Sequence, residues 1–240
     1  MKKVKLSATS IDKFISCPRS YYFRYISGIK EPTTKALQAG IDFHDCIEHI
    51  LTEVPFKKDY PDSLLETVEE AFNLGVLGDH SENIEIEKKI DFQIDENFSM
   101  TGKIDLVDFD ENCIQDHKSV GNWNYVETPE SLKTNLQLLI YSYWYMNEFD
   151  VDEVKLRHNQ IDKKDKENSK FVEATVTREE VFHFWNDKIV RLCKHIKKTR
   201  EQEDADEVRT RNACSKYSGC HYAKIGKCDG HKISIKDFKK

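Results

Sequence analysis

Two acidic residues and a lysine near the middle of the chain have the types and spacing needed for a metal-dependent reaction. Asp105 lies in the segment from Gly102 to Val107, and Asp116 and Lys118 lie in the segment from Cys113 to Ser119. Carboxylate oxygens are suitable ligands for Mg²⁺ and Mn²⁺, which usually keep several water molecules and also bind phosphate oxygens. A lysine beside such an ion can orient the attacking water or offset the negative charge that develops during phosphoryl transfer. The three residues therefore indicate a site for hydrolysis of phosphate esters.

Alternation of apolar and polar residues predicts that both segments are β-strands, joined by a short turn into a hairpin. If the turn is centred between Asp110 and Glu111, counting back along the two strands places Asp105 opposite Asp116. Because side chains alternate across a strand, Asp116 shares one face with the lysine, and His117 points to the other face. The alternative is an exposed hairpin that carries ordinary surface charges.

Composition predicts one domain of a protein without membrane segments. The 240-residue chain has 38% hydrophobic residues, enough for a single sizeable core. Its apolar runs are too short to cross a membrane, and its N-terminus lacks the apolar segment of a secretory signal. We therefore expect a cytoplasmic protein, in the host cytoplasm if the gene belongs to a phage. The net charge of −6 does not single out a nucleic-acid binder, but the basic run from Lys194 to Arg200 could contact a phosphate backbone.

Hydrophobic periodicity and capping residues predict that helices surround these strands. A helix with Ser7, Thr9 or Ser10 as its N-cap should reach Cys17. Helical spacing places Leu37 and His44 on the inward face of the helix expected over 34–51. The other expected elements are helices over 34–51, 62–72, 130–149 and 178–200 and strands over 83–94, 151–161 and 171–177. This order of elements predicts an α/β fold with a central mixed sheet flanked by helices.

Four short motifs occur in a fixed order along the chain. They are a helical histidine, a G-x-x-D strand, a (D/E)-x-K strand and a Q-x-x-x-Y helix, found at His44, Gly102 to Asp105, Asp116 to Lys118, and Gln137 to Tyr141. Together these motifs resemble the PD-(D/E)XK nuclease superfamily, and specifically its RecB-like and Cas4-like branch. The resemblance covers nearly the whole chain. It implies a restriction-endonuclease-like core and a deoxyribonuclease that depends on Mg²⁺ or Mn²⁺.

The resemblance also assigns a role to each motif residue. The implied metal ligands are His44, Asp105, Asp116 and the main-chain carbonyl of His117. Lys118 would serve the attacking water, and Gln137 and Tyr141 would contact DNA or support the site. Glu87, on the strand before the hairpin, is expected to be a strand-surface carboxylate, with a supporting role near the metal as the alternative.

The seven cysteines, an odd number with uneven spacing, indicate metal or cluster ligation rather than a disulfide framework. In the family branch, four cysteines from the two ends of the chain ligate an iron–sulfur cluster of the 4Fe-4S type. The matching residues here are Cys17, Cys214, Cys220 and Cys228. The last three are spaced more loosely than is usual, so the alternatives are that His221 acts as a ligand or that zinc replaces the cluster. Cys46, Cys113 and Cys193 are expected to be buried apolar residues.

These observations predict one nuclease domain, with a catalytic core over residues 34–200 and a cysteine-ligated cap that joins residues 1–30 and 203–240. We expect a DNA exonuclease that acts on single-stranded ends in recombination, repair, phage replication or CRISPR adaptation. No Walker A motif is present, so any unwinding would require a helicase or another partner protein. The alternatives are a non-catalytic DNA-end-binding subunit, a structure-specific endonuclease of the same superfamily, and a redox or metal sensor built on the cluster.

Overall fold

A computed structural model describes residues 3–52, 55–77, 81–210 and 220–229 of the chain. Residues of the protein group into two compact units according to which of them are in contact. The first comprises Met1–Lys5 and Thr33–Asn186, and the second comprises Leu6–Pro32 and Asp187–Lys240. None of the helices within the described ranges is long and apolar enough to span a membrane.

In the described part of the chain, a six-stranded mixed sheet forms the centre of the first unit. The strands are β1 Val4–Leu6, β2 Ile84–Gln93, β3 Phe98–Asp108, β4 Cys113–Val120, β5 Glu153–Asp162 and β6 Lys170–Thr177. Their order is β1-β3-β4-β5-β6, and β2 pairs with β3 outside this path. β4 and β5 run parallel, whereas β2 with β3, β3 with β4, and β5 with β6 run antiparallel.

Helices flank this sheet, which confirms the predicted α/β fold. The α-helices of the described residues are α1 Ala8–Ser16, α2 Pro18–Tyr21, α3 Lys35–Thr52, α4 Asp62–Asn73, α5 Pro129–Leu132, α6 Leu136–Phe149, α7 Arg178–Phe184, α8 Arg191–Arg200 and α9 His221–Lys224. Short 3-10 helices cover Trp123–Tyr125, Lys166–Asn168 and Ala205–Glu207, and π-helical turns cover Tyr22–Ile26 and Trp185–Val190. Helices α3 to α7 belong to the first unit.

The hairpin formed by β3 and β4 has the register predicted from the sequence. Leu106 pairs with Gln115, so one further step along the strands would bring Asp105 opposite Asp116. The ladder of paired residues ends at Leu106, and the two aspartates lie just beyond it. The turn needs no glycine, because Asn112 adopts the left-handed conformation with a φ of 45°, which asparagine tolerates better than most residues. The hairpin therefore places the two aspartates opposite each other on neighbouring strands.

The helix predicted over residues 130–149 is interrupted, and the prediction of one long helix is wrong. Asn135 separates α5 from α6, because its backbone is extended and its side chain caps the new helix. The Asn135 Oδ1 atom accepts hydrogen bonds from the main-chain N–H groups of Gln137 and Leu138. The apolar pattern continues across this break, so the periodicity alone did not reveal it.

The helix predicted over residues 178–200 has the expected extent but is not uniform. The segment Trp185–Val190 forms a π-helical turn between α7 and α8, in which hydrogen bonds join residues five positions apart instead of four. The Trp185 ring stacks on Tyr143 of α6, with ring centroids 3.7 Å apart and nearly parallel planes. The apolar surface that the two rings bury against each other holds α7 against α6.

Apolar side chains of α3 and α4 form a core that fixes the position of His44. Phe43 and Ile47 of α3 are buried in the same cluster as Val68 of α4. Because His44 lies in the turn between these two anchors, its direction is set by the core packing. Leu37, which the helical spacing placed on the same inward face, is exposed, so the buried face of α3 begins at Phe43 rather than at Leu37.

The second unit combines residues from the two ends of the chain. Ser7 is the one of the three candidate residues that caps α1, because its side chain accepts a hydrogen bond from the Ser10 N–H. Arg19 of α2 donates hydrogen bonds of 2.9 Å to the main-chain carbonyls of Asp206 and Val208. These contacts tie the N-terminal helices of the unit to its C-terminal segment.

Candidate metal-binding and catalytic site

Asp105 is held in place by the main chain of the neighbouring strand. Its Oδ2 atom accepts a hydrogen bond of 2.8 Å from the His117 N–H. The Asp105 side chain is only 10% exposed, so water competes little with this contact. The other oxygen, Oδ1, lies 3.7 Å from Nδ1 of His44. Asp105 therefore has a fixed orientation in which one oxygen faces the histidine of α3.

Three residues converge closely enough to hold one metal ion. His44 of α3, Glu87 of β2 and Asp105 of β3 each offer a ligand atom, and these atoms lie within 4.8 Å of one another. The ligands of an octahedral Mg²⁺ ion lie about 2.1 Å from the metal, so ligand atoms on opposite sides are about 4.2 Å apart. The arrangement fits a divalent ion after small side-chain adjustments, and its carboxylates suit Mg²⁺ or Mn²⁺.

The backbone at Glu87 is unusual for a residue in the middle of a strand. Glu87 has a φ of 56°, and the pairing of β2 with β3 passes over it, from Ile86 with Leu106 to Lys88 with Ile104. The left-handed conformation costs about 1–2 kcal/mol for a residue with a side chain, and such strain often occurs at functional sites. The structure therefore favours the alternative role for Glu87, near the metal, over a place on the strand surface.

Asp116 has polar neighbours on both of its carboxylate oxygens. Oδ1 accepts hydrogen bonds from Lys118 Nζ at 2.8 Å and from Gln137 Nε2 at 3.1 Å. Oδ2 lies 3.4 Å from Nε2 of His158, and the Asp116 side chain is 5% exposed. Asp116 does not belong to the three-residue metal group, so its predicted role as a metal ligand stays a prediction.

Two lysines supply positive charge beside the carboxylates. Lys103 forms an ion pair with Glu87, and Lys118 forms one with Asp116. Partial burial disfavours the charged form of Lys118, but the negative charges of Asp116 and Asp105 outweigh this effect and raise the pKa of Lys118 above its ordinary value. Lys118 is therefore an ammonium ion at neutral pH, which suits it to stabilise charge rather than to act as a base.

The first turns of α6 support the site from one side. The cap at Asn135 starts the helix so that Gln137 reaches Asp116. One turn later, the Tyr141 hydroxyl accepts from Gln137 Nε2 at 3.4 Å and donates to the Lys103 carbonyl at 2.9 Å. Burial raises the pKa of Tyr141 to about 12, so its hydroxyl stays neutral and keeps its proton. Both residues thus form hydrogen bonds to residues of the candidate site, and their predicted roles, contact with DNA or support of the site, stay predictions.

Gly102 lies directly against the ring of Tyr141. A β-carbon at position 102 would lie 2.7 Å from Cε1 of Tyr141 and 3.3 Å from Cγ1 of Ile90. Tyr141 is 5% exposed, so its ring cannot move aside without disturbing the packed interior. The glycine of the G-x-x-D motif is therefore needed for Tyr141 to approach β3.

His117 contributes only its main chain to this site. Its ring is buried, and its Nδ1 atom lies 2.9 Å from Nδ2 of Asn159, which also donates to Gln115 Oε1 at 3.0 Å. Burial lowers the pKa of His117 to about 3, so the ring is neutral at physiological pH. The main-chain N–H of His117 is bound to Asp105. The predicted role of its carbonyl as a metal ligand stays a prediction.

The predicted cluster ligands fall in the second unit. Cys17 is buried, and Cys220 and Cys228 are half-buried and pack against a cluster of apolar side chains. The members of that cluster are Tyr22, Phe23, Val208 and Tyr222. Cys214 lies outside the described residues. Three of the four predicted ligands therefore belong to one compact unit, and cluster ligation stays a prediction.

The other described cysteines are almost completely buried. Cys46, Cys113 and Cys193 are each no more than 2% exposed, as predicted for small apolar residues. Burial raises the pKa of Cys46 to about 11 and that of Cys113 to about 12. These two thiols stay protonated at neutral pH, which does not suit them to bind metal.

A family model described as the PD-(D/E)XK nuclease superfamily matches residues 5–82 and 74–225 of the chain. No protein with a curated description matches the chain. Among solved structures, the chain is similar to a protein from Eubacterium rectale that is provisionally described as an exonuclease. The identity is 12% and the TM-score 0.61, over 98% of this chain and 92% of that chain. At this level of identity the similarity supports the fold alone.

Two further structures have weaker similarity. A phage-related exonuclease from Haemophilus somnus is 17% identical, with a TM-score of 0.39 over 83% of this chain and 94% of that chain. An alkaline exonuclease from Laribacter hongkongensis is 11% identical, with a TM-score of 0.41 over 82% of this chain and 90% of that chain. Both TM-scores are too low to support an argument about fold or function.

Proposed function

The chain belongs to the PD-(D/E)XK nuclease superfamily, and from this we propose that it is a Mg²⁺- or Mn²⁺-dependent exonuclease that digests DNA from single-stranded ends. The observation that supports the proposal most directly is the convergence of His44, Glu87 and Asp105, together with the ion pair of Asp116 and Lys118. A DNA-end-binding subunit without catalytic activity would not need such a set of charges. The same chemistry could also serve an endonuclease, which the experiment below distinguishes.

The residues that would hold the divalent ion are those whose ligand atoms converge. His44, Glu87 and Asp105 form this group, and we propose Asp116 and the main-chain carbonyl of His117 as further ligands. When bound, the ion would polarise the phosphodiester and lower the pKa of a water molecule. The hydrogen bond from His117 to Asp105 keeps the carboxylate in the orientation that presents Oδ1 to His44.

The chain's own residues then act on the phosphodiester. Hydrolysis forms a bond between a water oxygen and phosphorus and breaks the bond from phosphorus to one sugar oxygen. Negative charge spreads over the phosphoryl oxygens during this displacement. The ammonium group of Lys118 would stabilise that charge, since it is already positive and is held beside Asp116. Gln137 keeps the Asp116 carboxylate in position through its Nε2 atom.

Digestion assays test this proposal. The substrates are end-labelled linear DNA and circular DNA, each in single-stranded and double-stranded form. We expect Mn²⁺ or Mg²⁺ to support digestion of linear single strands, and we expect circles to stay intact under the same conditions. Excess chelator should stop the reaction. Cleavage of the circles would instead indicate an endonuclease. Binding of DNA ends without any digestion would support the non-catalytic subunit.

Glu87→Gln should weaken Mn²⁺ binding by about 10-fold, because it removes a charged ligand and keeps the size of the side chain. Glu85→Gln is a matched control, since Glu85 lies on the same strand two residues earlier, is largely exposed and pairs with Lys88. Calorimetric titration of both variants with Mn²⁺ measures the effect. Equal affinities in the two variants would exclude Glu87 from the metal group.

We also propose that the second unit is a cap that binds a 4Fe-4S cluster through Cys17, Cys214, Cys220 and Cys228. Support comes from the common location of Cys17, Cys220 and Cys228 in this unit. Thiolates of four cysteines are the usual ligand set of such a cluster. The predicted cap of residues 1–30 and 203–240 overlaps the second unit, which also contains residues 187–202 and does not contain residues 1–5. In this proposal the cluster ties together the two ends of the chain.

Cys220→Ser and Cys228→Ser should each abolish the visible absorption of anaerobically purified protein and most of its bound iron and sulfide. Cys113→Ser, on β4 of the first unit, should keep both, because its thiol is buried and protonated. The iron, sulfide and zinc contents of the three variants and the wild type are measured to test this. Zinc without sulfide in the wild type would support the zinc alternative and would contradict the cluster.

A further inference from the structure

His158 lies directly beside Asp116 on the neighbouring strand. β4 and β5 are parallel, and their register pairs Asp116 with His158. Both side chains are nearly buried, at 5% and 7% exposure, and His158 Nε2 lies 3.4 Å from Asp116 Oδ2. This distance is slightly longer than an ideal hydrogen bond, and a small rotation of either side chain would shorten it. His158 is outside the four motifs that carry the family resemblance.

The two nitrogens of the His158 ring have different surroundings. In the part of the chain that the structure describes, Nδ1 is buried and has no hydrogen-bond partner. A proton placed there would be a buried donor without an acceptor, which costs about 1–3 kcal/mol. On Nε2 the same proton faces the Asp116 carboxylate. The surroundings therefore favour the tautomer in which His158 donates toward Asp116.

The partners of Asp116 are divided between its two oxygens. Lys118 and Gln137 both donate to Oδ1, and His158 faces Oδ2. A carboxylate held through only one oxygen can still rotate about its Cβ–Cγ bond. A donor on the second oxygen restricts that rotation, and partners of this kind orient metal-binding carboxylates in many proteins.

We propose that His158 is a positioning residue, which donates from Nε2 to Asp116 Oδ2 and so fixes the orientation of this carboxylate toward the divalent ion and the phosphodiester. The inference rests on the proposed function, since it assumes that Asp116 binds the ion. It assigns to β5 a part in the active site that the family motifs do not contain. His158 itself touches neither the ion nor the substrate in this proposal.

Two substitutions separate positioning from simple packing. His158→Leu removes the donor and fills a similar volume, whereas His158→Gln keeps an N–H donor at a similar distance from the backbone. Leu156→Met, two residues earlier on β5, is a control for the effect of changing a buried side chain of this strand, because such volume-conserving changes usually have small costs. Mn²⁺ affinity, measured by electron paramagnetic resonance, and steady-state DNA cleavage are recorded for all three variants.

We expect His158→Leu to weaken Mn²⁺ binding and to lower kcat by about 10- to 100-fold each, with little change in the KM for DNA. His158→Gln should restore both quantities to within about 3-fold of the wild type, and Leu156→Met should match the wild type. Wild-type Mn²⁺ affinity in His158→Leu would overturn the proposal. Equal defects in His158→Leu and His158→Gln would also overturn it and would indicate a packing role.

The Mn²⁺ measurement also separates this proposal from the proposed function. If the wild type binds Mn²⁺ but does not cleave DNA, the exonuclease assignment fails, and the Mn²⁺ affinities of the two His158 variants still decide the positioning role. If the wild type binds no Mn²⁺, the metal site and the role of His158 are both refuted.

Discussion

Asp116→Asn should lower the rate of DNA cleavage by about 10³-fold or more, while the protein stays folded. Asparagine has the shape of aspartate but lacks its negative charge. The variant would lose both the proposed ligand of the divalent ion and the counter-ion that holds the Lys118 ammonium group. Gln137 can still donate to the remaining carbonyl oxygen, and Lys118 can turn toward water because its side chain is 46% exposed. We therefore expect a large effect on chemistry and a small effect on stability.

Asp108→Asn is the matched control for this prediction. Asp108 is also a buried aspartate of the same sheet, but its carboxylate accepts hydrogen bonds from Ser81 and Glu111 outside the candidate site. Its substitution should cost stability and leave cleavage by the folded protein near the wild-type rate. Thermal melting and single-turnover digestion of linear single-stranded DNA measure both variants. A wild-type cleavage rate for Asp116→Asn would show that the active site lies elsewhere.

Lys118→Met should lower kcat by about 10²–10³-fold and should leave Mn²⁺ binding within a few-fold of the wild type. Methionine keeps much of the length of the lysine side chain but has no charge to stabilise the phosphoryl oxygens. The negative charge of Asp116 would remain available to the ion. We thus expect kcat to fall while the Mn²⁺ affinity is kept, whereas the loss of a metal ligand would lower both.

Steady-state kinetics and Mn²⁺ titration of Lys118→Met test this pattern. Lys89→Met is the control, since Lys89 is an exposed lysine on β2 and its loss should change neither quantity. If Lys118→Met loses Mn²⁺ affinity as strongly as Asp116→Asn, the lysine supports the metal rather than the reaction. Unchanged kcat would remove Lys118 from the mechanism.

The hairpin of the candidate site could be predicted from the sequence because its geometry is determined locally. Once the turn was centred, the alternation of side chains left one register, and the observed pairing of Leu106 with Gln115 has that register. The helix that carries His44 was predicted for a similar reason, since its apolar residues recur with helical spacing. The motif residues within these elements were therefore assigned to their correct strands and helices.

Glu87 could not be distinguished from Glu85 by the sequence. Both occur in the alternating run IEIE, which predicts that both face solvent. The left-handed backbone at Glu87 changes the position of that side chain alone, and no residue in the run favours this conformation. The side chain of Glu87 forms an ion pair with Lys103 of β3, and such tertiary contacts do not follow from a local pattern.

The sequence also could not predict which residue of β5 lies beside Asp116. Which residue of β5 faces which residue of β4 depends on the order of strands in the sheet and on their parallel register. More than thirty residues of chain separate the two strands, so no turn fixes that register. The pairing of Asp116 with His158 follows only once the whole sheet is formed.

The close approach of Tyr141 to Gly102 has an evolutionary consequence. A larger residue at position 102 could be accommodated only if the aromatic ring became smaller, because a β-carbon there would lie 2.7 Å from the ring. A smaller residue at position 141 would in turn lose the hydroxyl that binds the Lys103 carbonyl. The two motifs are therefore sterically coupled. Descendants of this chain would have to keep the glycine and the tyrosine together or change them together.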